Sequence, residues 1–350
     1  EIIKINLKET VSRNLKYIFK TENKNTHSIN LIPSGLHKKI NNINPEWVNL
    51  HWIGNEMISI KEISKINSKI VWTLHDMWPF CGAEHFTDDK RFILGYNNMN
   101  RPTYESKFDL NKYVWIKKTK YFGKINKIIC TTNWMYERAK NSILFKNKDI
   151  ELISLTLDKK FWQPQDKEFS KKILQLDNKK KVICFGAEDF YNNKRKGFDL
   201  FINAIKSLST NIEFQILIFG DDKKYKLEKK NIKITNLGKL KDEHTLKTVF
   251  SASDFVVMPS RMESFGQIVL EALHCGTPCV VFKNTAMEDL INHKNNGYVC
   301  ESITFQDLML GIEWCLKNDL KKDCKKISDD AILKYDYNGI IDRYINFLKK

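Results

Sequence analysis

The chain lacks several features that would assign it to a membrane-spanning or secreted class. Its 350 residues contain no apolar run that approaches the roughly 20 residues of a membrane-spanning helix. The opening segment Glu1–Asn6 does not have the layout of a signal peptide. The eight cysteines include no C-x-x-C pair and are scattered through apolar surroundings. We therefore expect reduced, buried thiols in a cytoplasmic protein.

The chain also lacks the pattern of a nucleic-acid-binding protein, although its net charge is +16. The positive charge is spread in short runs such as Lys179–Lys181 and Lys223–Lys224, without interleaved aromatic platforms or a recognition helix, so we expect no nucleic-acid partner. Two interpretations stay open. In the first, the high lysine content only reflects the general composition of the chain. In the second, the lysines hold the protein at an anionic membrane surface, the inner face of the plasma membrane. Each well-placed Lys or Arg would then contribute about 1 kcal/mol to the free energy of membrane binding.

Length and periodicity predict a two-domain α/β protein. A chain of 350 residues exceeds the size at which a single core keeps growing, and short apolar runs alternate with helical patterns, which is typical of parallel sheets. A helix rich in isoleucine is predicted between the first two strands, and the polar segment Phe161–Glu168 is predicted to link the domains. The predicted strands are Val48–Trp52, Ile70–Leu74, Lys127–Thr131, Glu151–Leu155, Lys181–Phe185, Phe214–Phe219, Phe255–Met258 and Cys279–Phe282.

The segment 259–278 is the most informative part of the chain, because it places two carboxylates around a predicted helix start. Ser264 and Gly266 suit a helix N-terminus, and the unpaired N–H groups of such a terminus favour an anion. Glu263 lies in this helix mouth, and Glu271 follows eight positions later.

Two interpretations of these carboxylates stay open. The apolar stripe of the helix leaves Gln267, Glu271 and His274 on its polar side, so Glu271 could be a solvated surface glutamate. Alternatively, both glutamates accept hydrogen bonds from the hydroxyls of a ligand whose phosphates contact the amides of Ser264, Phe265 and Gly266. Sugars and riboses are the natural hydroxyl-rich candidates.

A second constellation follows the predicted strand that ends in Gly186. Three consecutive cations, Lys194, Arg195 and Lys196, stand at the start of a predicted helix, where the helix dipole opposes positive charge. A phosphate partner would remove this conflict. The alternative is a solvated basic loop.

His75 directly follows the predicted strand Ile70–Leu74. Ligands of parallel α/β sheets bind beyond the carboxyl ends of the strands, which favours a functional histidine. The alternative is a hydrogen-bonded packing residue beside Trp72 and Trp78.

These motifs resemble those of the retaining glycosyltransferases of family 4. The pattern E-S-F-G-x-x-x-x-E-A, followed by C-G-T-P, is similar to their E-x(7)-E signature. The resemblance covers about residues 45 to 345, and its first half is similar to a bacterial subgroup that builds surface polysaccharides. The further segments that carry it are Trp47–Gly54, Ile70–Phe80, Gly82–Phe86, Gly186–Phe198 and Ser253–Ser260.

The resemblance implies a GT-B fold, in which two Rossmann-like domains have parallel sheets facing a central cleft. Residues 1–160 would form the acceptor-side domain, residues 161–334 the donor-binding domain, and residues 335–350 a helix that packs back on the first domain. The first residue is not Met, and no glycine precedes Gly35. Together with the resemblance, this indicates that the native N-terminus is missing.

The implied activity is hexosyl transfer from a nucleotide-diphosphate sugar to a hydroxyl of a growing glycan or lipid-linked acceptor, with retention of configuration and without a cofactor. Lys196 matches the lysine that binds the donor pyrophosphate, and His75 matches a histidine that contacts the donor sugar. Glu263 would hold the sugar and Glu271 the ribose, while Leu240 lies in a weak signal for the base. Arg195 and the amides at Phe265 and Gly266 would assist.

The chain departs from the family pattern in places. Ala187 stands where an arginine commonly follows the glycine at the strand end, so Arg195 or Lys194 would have to replace it. No Asp-x-Asp pair occurs in the chain, and the run Gly82–Tyr96 has no cysteine. We therefore expect no bound metal. Two rivals stay open: a non-catalytic scaffold of a polysaccharide-assembly complex and a nucleotide-sugar epimerase.

Overall fold

The computed structural model describes residues 26–103, 105, 108–227 and 232–350, which form two compact units. The first unit extends to Ser154 and takes in Tyr344–Lys350, and the second is Leu155–Arg343. The expectation that the native N-terminus is missing concerns residues that lie outside the described part of the chain. Within these ranges, no helix is both long enough and apolar enough to cross a bilayer.

The first unit is built on a four-stranded parallel sheet in the order β1-β2-β3-β4. The two central strands are almost entirely buried, because a parallel sheet is covered on both faces. All four strands predicted for this half of the chain are present, with boundaries displaced by up to three residues. They are β1 (Trp47–Leu50), β2 (Lys69–Leu74), β3 (Ile125–Cys130) and β4 (Asp149–Leu152).

Five α-helices accompany this sheet in the described residues. The helix predicted from its isoleucines is shorter than expected, because only four residues between Ile58 and Ile66 are helical, although the isoleucines of this stretch are all buried. The helices are α1 (Leu36–Ile43), α2 (Ile60–Ile63), α3 (Arg91–Leu94), α4 (Leu110–Tyr121) and α5 (Asn133–Asn141).

The second unit is built on a six-stranded parallel sheet in the order β10-β9-β8-β5-β6-β7. The four strands predicted here are present, and the structure adds β7 and β10. The strands are β5 (Lys181–Gly186), β6 (Phe214–Phe219), β7 (Lys233–Asn236), β8 (Phe255–Met258), β9 (Cys279–Phe282) and β10 (Gly297–Cys300). The helices are α6 (Lys167–Ile173), α7 (Phe198–Ser207), α8 (Glu243–Ala252), α9 (Gln267–His274), α10 (Phe305–Lys317) and α11 (Cys324–Lys334). A last helix, α12 (Tyr337–Lys349), belongs to the second unit up to Arg343 and to the first unit from Tyr344.

Two apolar layers cover the faces of this second sheet. Neighbouring residues of β5 point to opposite layers: Val182 and Cys184 belong to one core cluster, and Ile183 and Phe185 to the other, as the two-residue period of a strand requires. Trp162 is buried in the first of these clusters. Seven of the eight cysteines are buried and the remaining one is partly buried, all with free thiols, as predicted.

The strand order reverses direction at β5. From β5 the chain moves outward to β6 and β7, and then crosses back to place β8 on the other side of β5. The loops that leave the carboxyl ends of β5 and β8 therefore diverge to opposite faces of the sheet, which leaves a crevice where open α/β sheets bind ligands.

Candidate active site

Two loops meet at this crevice, one after β5 and one after β8. The backbone N–H of Arg261 donates to the carbonyl of Arg195 at 2.8 Å, and the Arg261 guanidinium donates to the Lys194 carbonyl at 2.5 Å. The same guanidinium binds both carboxylate oxygens of Asp199, at 2.8 and 2.7 Å. The hydrogen bond from Arg261 is the largest cause that lowers the pKa of Asp199. This bidentate pair holds the β8 loop against the start of α7.

Gly197 allows the close approach of the two loops. Its φ is +71°, and a Cβ atom at this position would lie 1.9 Å from the carbonyl oxygen of Pro259, so only glycine fits. The preceding turn is stabilised by the Asn193 side chain, which accepts a hydrogen bond from the N–H of Arg195 at 3.2 Å. The turn therefore presents Lys196 next to the β8 loop.

Glu263 is the centre of the ion pairs that form between these loops. Its Oε1 lies 2.6 Å from Lys196 Nζ and its Oε2 lies 3.2 Å from Arg195 Nη1. Arg195 also donates to the Met262 carbonyl at 2.6 Å. Burial acts to raise the pKa of Glu263, but Lys196 and then Arg195 outweigh it, and the pKa is lowered. Glu263 is therefore ionised at neutral pH, although its side chain is only 12% exposed.

Glu271 has a different environment, although it belongs to the same motif. It is 6% exposed, so the solvated-surface interpretation is wrong. Its Oε1 accepts a hydrogen bond from Gln267 Nε2 at 2.9 Å. Burial raises the pKa of Glu271 to about 7, with the Gln267 hydrogen bond opposing the rise and Glu243 adding to it. The predicted polar side of α9 is thus largely buried, since His274 is also buried and donates through Nδ1 to the Leu270 carbonyl at 3.0 Å.

Helix α9 begins at Gln267, directly after the Ser264–Gly266 segment, as the sequence predicts. Gly266 has a φ of +96°, and a Cβ atom there would lie 2.5 Å from Met287 Cγ. Phe265 is buried, with its ring centroid 6.5 Å from that of Tyr335. The loop is therefore tightly packed beneath a helix N-terminus whose first N–H groups have no partner inside the helix.

Gly186 and Leu240 have packing contacts of a different kind. A Cβ atom on Gly186 would lie 2.0 Å from the Phe219 ring, so this ring of the neighbouring strand would have to move if residue 186 carried a side chain. Leu240, in the loop after β7, packs partly buried against the apolar core. Within the described part of the chain, neither residue takes part in the ion pairs around Glu263.

His75 belongs to the first unit, where it follows β2. Its Nε2 lies 2.8 Å from Nδ1 of His51, and the two rings stack with centroids 5.1 Å apart. Asn49 Nδ2 donates to His51 Nε2 at 2.9 Å. His51 therefore carries its proton on Nδ1 and donates it to Nε2 of His75, which leaves the His75 proton on Nδ1. Burial, followed by His51, lowers the pKa of His75, and Asp76 opposes this.

Three residues of these networks were not singled out from the sequence: Arg261, Asp199 and His51. Arg261 and His51 lie inside quoted motifs, yet their partners are 62 and 24 positions away. The predicted strand Val48–Trp52 includes His51, whereas the observed strand β1 ends at Leu50, so the prediction placed His51 inside a strand and not beyond its carboxyl end. Among the described residues, no group of three His, Cys, Asp or Glu side chains is arranged to hold a metal ion.

Comparison with known proteins shows that the loops around Glu263 lie within a segment of the chain that matches a protein family. Residues 166–333 match the family model described as glycosyl transferases group 1. N-acetyl-alpha-D-glucosaminyl L-malate synthase of Bacillus anthracis is 27% identical over 163 residues, which cover 44% of this chain and 41% of that protein. The chain thus spans about two fifths of the length of this curated relative.

Solved structures share the fold over most of the chain. Sucrose-phosphate synthase from Thermosynechococcus elongatus aligns with a TM-score of 0.67 and 14% identity, over 90% of this chain and 75% of that one. HepE from Anabaena, in a complex with UDP and glucose, aligns with a TM-score of 0.61 and 14% identity, over 90% of this chain and 82% of that one. At these identities the likeness concerns the fold alone.

Proposed function

We propose that the chain is a retaining hexosyltransferase, because residues 166–333 match the family model of glycosyl transferases group 1 and the chain has the GT-B type of α/β fold. It moves a sugar from a nucleotide-diphosphate sugar to a hydroxyl of a growing glycan or lipid-linked acceptor. HepE, whose structure holds UDP and glucose, supports a nucleotide-sugar donor for a protein with this fold.

One observation carries the proposal: Lys196 and Arg195 converge on Glu263 at the mouth of α9. Two cations and the amides at Phe265 and Gly266 are donors that suit a diphosphate. As the sugar departs through an oxocarbenium-like state, negative charge builds on the diphosphate. Preorganised cations and amides stabilise that charge without reorganisation.

The remaining site residues have roles that follow from their position. Glu263, held ionised by its cations, accepts hydrogen bonds from hydroxyls of the sugar, and Glu271 accepts them from the ribose. Leu240 contacts the base, and His75 offers its Nδ1–H to the donor sugar. We assign none of the motif carboxylates as a covalent nucleophile. Instead, the acceptor hydroxyl attacks the sugar on the same face from which the diphosphate departs, and this accounts for retention of the anomeric configuration.

We further propose that no divalent metal is required, because Lys196, Arg195 and the helix amides supply the charge stabilisation. A lipid-linked acceptor would place the enzyme at the inner face of the plasma membrane. The net charge of +16 suits an anionic surface.

The test begins with a thermal-shift panel of UDP, GDP, ADP and their sugar conjugates, because a ligand of the folded state raises stability with its occupancy. The stabilising donor is then incubated with acceptors in the presence of EDTA, and the anomeric configuration of the product is read by NMR. We expect transfer with retention that is lost in Glu263→Ala. Nucleotide binding without turnover would instead indicate a scaffold, and release of a free epimerised nucleotide sugar would indicate an epimerase.

A further inference from the structure

Helix α4 and the segment before it expose apolar side chains that the active site does not use. Met99 is 97% exposed and Leu94 is 65% exposed, and Phe108 and Ile116 are each about half exposed. On the inner side of the same helix, Lys118 is fully buried and donates to the carbonyls of Trp78, Cys81 and Gly82. Helix α4 thus exposes the apolar Ile116 to solvent and buries Lys118, which is the reverse of a simple amphipathic helix.

These exposed residues lie on α4 and on the segment that packs beside it. Asn98 Oδ1 accepts a hydrogen bond from Lys112 Nζ at 2.7 Å, and the rings of Tyr96 and Trp115 have centroids 5.4 Å apart, so the segment around residues 94–100 packs along α4. The Phe108 ring lies 5.5 Å from that of Tyr113.

The outer face of α4 continues this surface with lysines. Tyr113, Ile116, Lys117 and Lys120 follow at spacings of three and four residues, which places them on one side of the helix. Ile116 is therefore flanked by cations. Lys117 lies over the Tyr113 ring, with its Nζ 5.1 Å from the centroid.

The surface is cationic because its acidic residues are occupied by a buried arginine. Between residues 90 and 124 the only acidic residues are Glu105 and Asp109, and both contact Arg91, at 3.1 and 2.9 Å. Arg101 is also near one of these carboxylates, with its Nε 3.7 Å from Asp109, and five further cations of this stretch are exposed or half-exposed lysines. They are Lys90, Lys112, Lys117, Lys120 and Lys124.

We propose that this surface, defined by Leu94, Met99, Phe108, Ile116 and the five lysines named above, docks on an anionic lipid bilayer. Exposed apolar side chains enter the boundary between headgroups and acyl chains, while lysines extend their amines to lipid phosphates. Two copies of this surface would bring its lysines together, and like charges repel, so the positive charge beside the apolar residues favours an anionic bilayer over a second copy of this chain. The inference deepens the proposed function, on which it rests for a lipid-linked acceptor, because such an acceptor lies in the membrane.

The experiment measures co-sedimentation of the full chain with phosphatidylcholine vesicles and with vesicles that contain phosphatidylglycerol, at low and high salt. We expect binding only to the anionic vesicles, weakened by salt. The variants Leu94→Ser/Met99→Ser and Lys90→Gln/Lys117→Gln/Lys120→Gln should each lower the partition coefficient at least tenfold. Matched controls are Leu310→Ser/Leu333→Ser, in exposed leucines of the second unit, and Lys223→Gln/Lys224→Gln/Lys226→Gln, and these should change it less than twofold.

The proposal is overturned if the unsubstituted chain does not bind anionic vesicles, if the controls lose as much binding as the surface variants, or if the surface variants abolish self-association in solution and leave vesicle binding unchanged. Thermal shift with UDP is measured on every variant. Vesicle binding without nucleotide stabilisation would count against the proposed function alone, and the reverse result would count against the docking surface alone.

Discussion

Glu263 and Glu271 are the same residue type in one short motif, yet their surroundings give them opposite properties. Glu263 lies in a loop between two cations, which lower its pKa despite burial. Glu271 lies on α9 beside an uncharged amide, and burial raises its pKa to about 7. The comparison shows that the spacing of two carboxylates does not set their protonation, because a loop from a distant part of the chain supplies the cations to one of them only.

The first prediction removes the cation that distinguishes the two sites. Lys196→Ala should lower sugar transfer about 100-fold or more, because a preorganised donor to the departing diphosphate is lost, and Glu263 keeps only Arg195. Steady-state transfer with the identified donor measures this. Lys194→Ala is the matched control within the same turn and should cost less than about threefold in rate. Equal losses of transfer rate in the two variants would contradict a specific role of Lys196 in stabilising the departing diphosphate.

The second prediction separates the loops without changing any charge. Gly197→Ala should destabilise the protein by about 2 to 3 kcal/mol, because alanine disfavours a left-handed backbone and its Cβ would meet the Pro259 carbonyl. Nucleotide affinity should fall about tenfold with it, as Lys196 moves away from Glu263. Urea denaturation and calorimetric titration measure the two effects. Gly123→Ala, where a Cβ would have no heavy atom within 4 Å, is the control and should be close to neutral.

The third prediction uses pH to separate the two carboxylates. The folded pKa of Glu271, about 7, lies above the ordinary value of 4.5, so the folded state binds more protons than the unfolded state between these values. The free energy of unfolding should therefore fall by about 2 to 3 kcal/mol between pH 4.5 and 7, relative to Glu271→Gln. Denaturation across this range measures the difference.

Glu263 should show the opposite sign, which provides an internal control for the third prediction. Its folded pKa is lowered, so its contribution to stability is present above the ordinary value of 4.5 and is lost as the pH falls through the folded pKa. Relative to Glu263→Gln, the unsubstituted protein should lose stability on acidification. A difference with the same sign for both glutamates would contradict the contrast between their environments.

The fourth and smallest effect concerns His75 in the first unit. His51→Leu should move the pKa of His75 upward, because His51 contributes to its lowering, although burial, the larger cause, remains. NMR titration of the His75 ring measures the change, and its ring nitrogen shifts should also lose the preference for the Nδ1–H tautomer. An unchanged tautomer in His51→Leu would mean that His51 does not orient His75.

Much of the fold could be predicted from the sequence, because buried parallel strands leave continuous apolar runs. Phe214–Phe219, Phe255–Met258 and Cys279–Phe282 were placed with their observed boundaries. Strands β7 and β10 were not predicted. Lys233–Asn236 contains a single apolar residue, Ile234, and Gly297 and Tyr298 interrupt the apolar pattern of β10. The edge strand β7 has no buried residue, so its sequence resembles that of a loop. Strand β10 is mostly buried, but only two of its four residues form an apolar run.

The site could be predicted only in part. The start of α9 after Gly266 followed from local residue preferences, because helix termini select their residues over a few positions. The burial of Glu271 did not, since the polar face of α9 is covered by other elements of the second unit. Nor did the pairing of Arg261 with Asp199, because the two residues are 62 positions apart and local spacing carries no signal for such a contact.

What the sequence determined by itself was the order of strands, tight loops and helix starts, along with the types of charged residue at each loop. Those properties depend on neighbours within a turn or two of chain. Only the tertiary structure decided which charges met, because the crossing from β7 back to β8 brings the cations of one loop onto the carboxylate of another. The same packing left Glu271 buried beside the uncharged Gln267, so its ionised form is less well stabilised than that of Glu263.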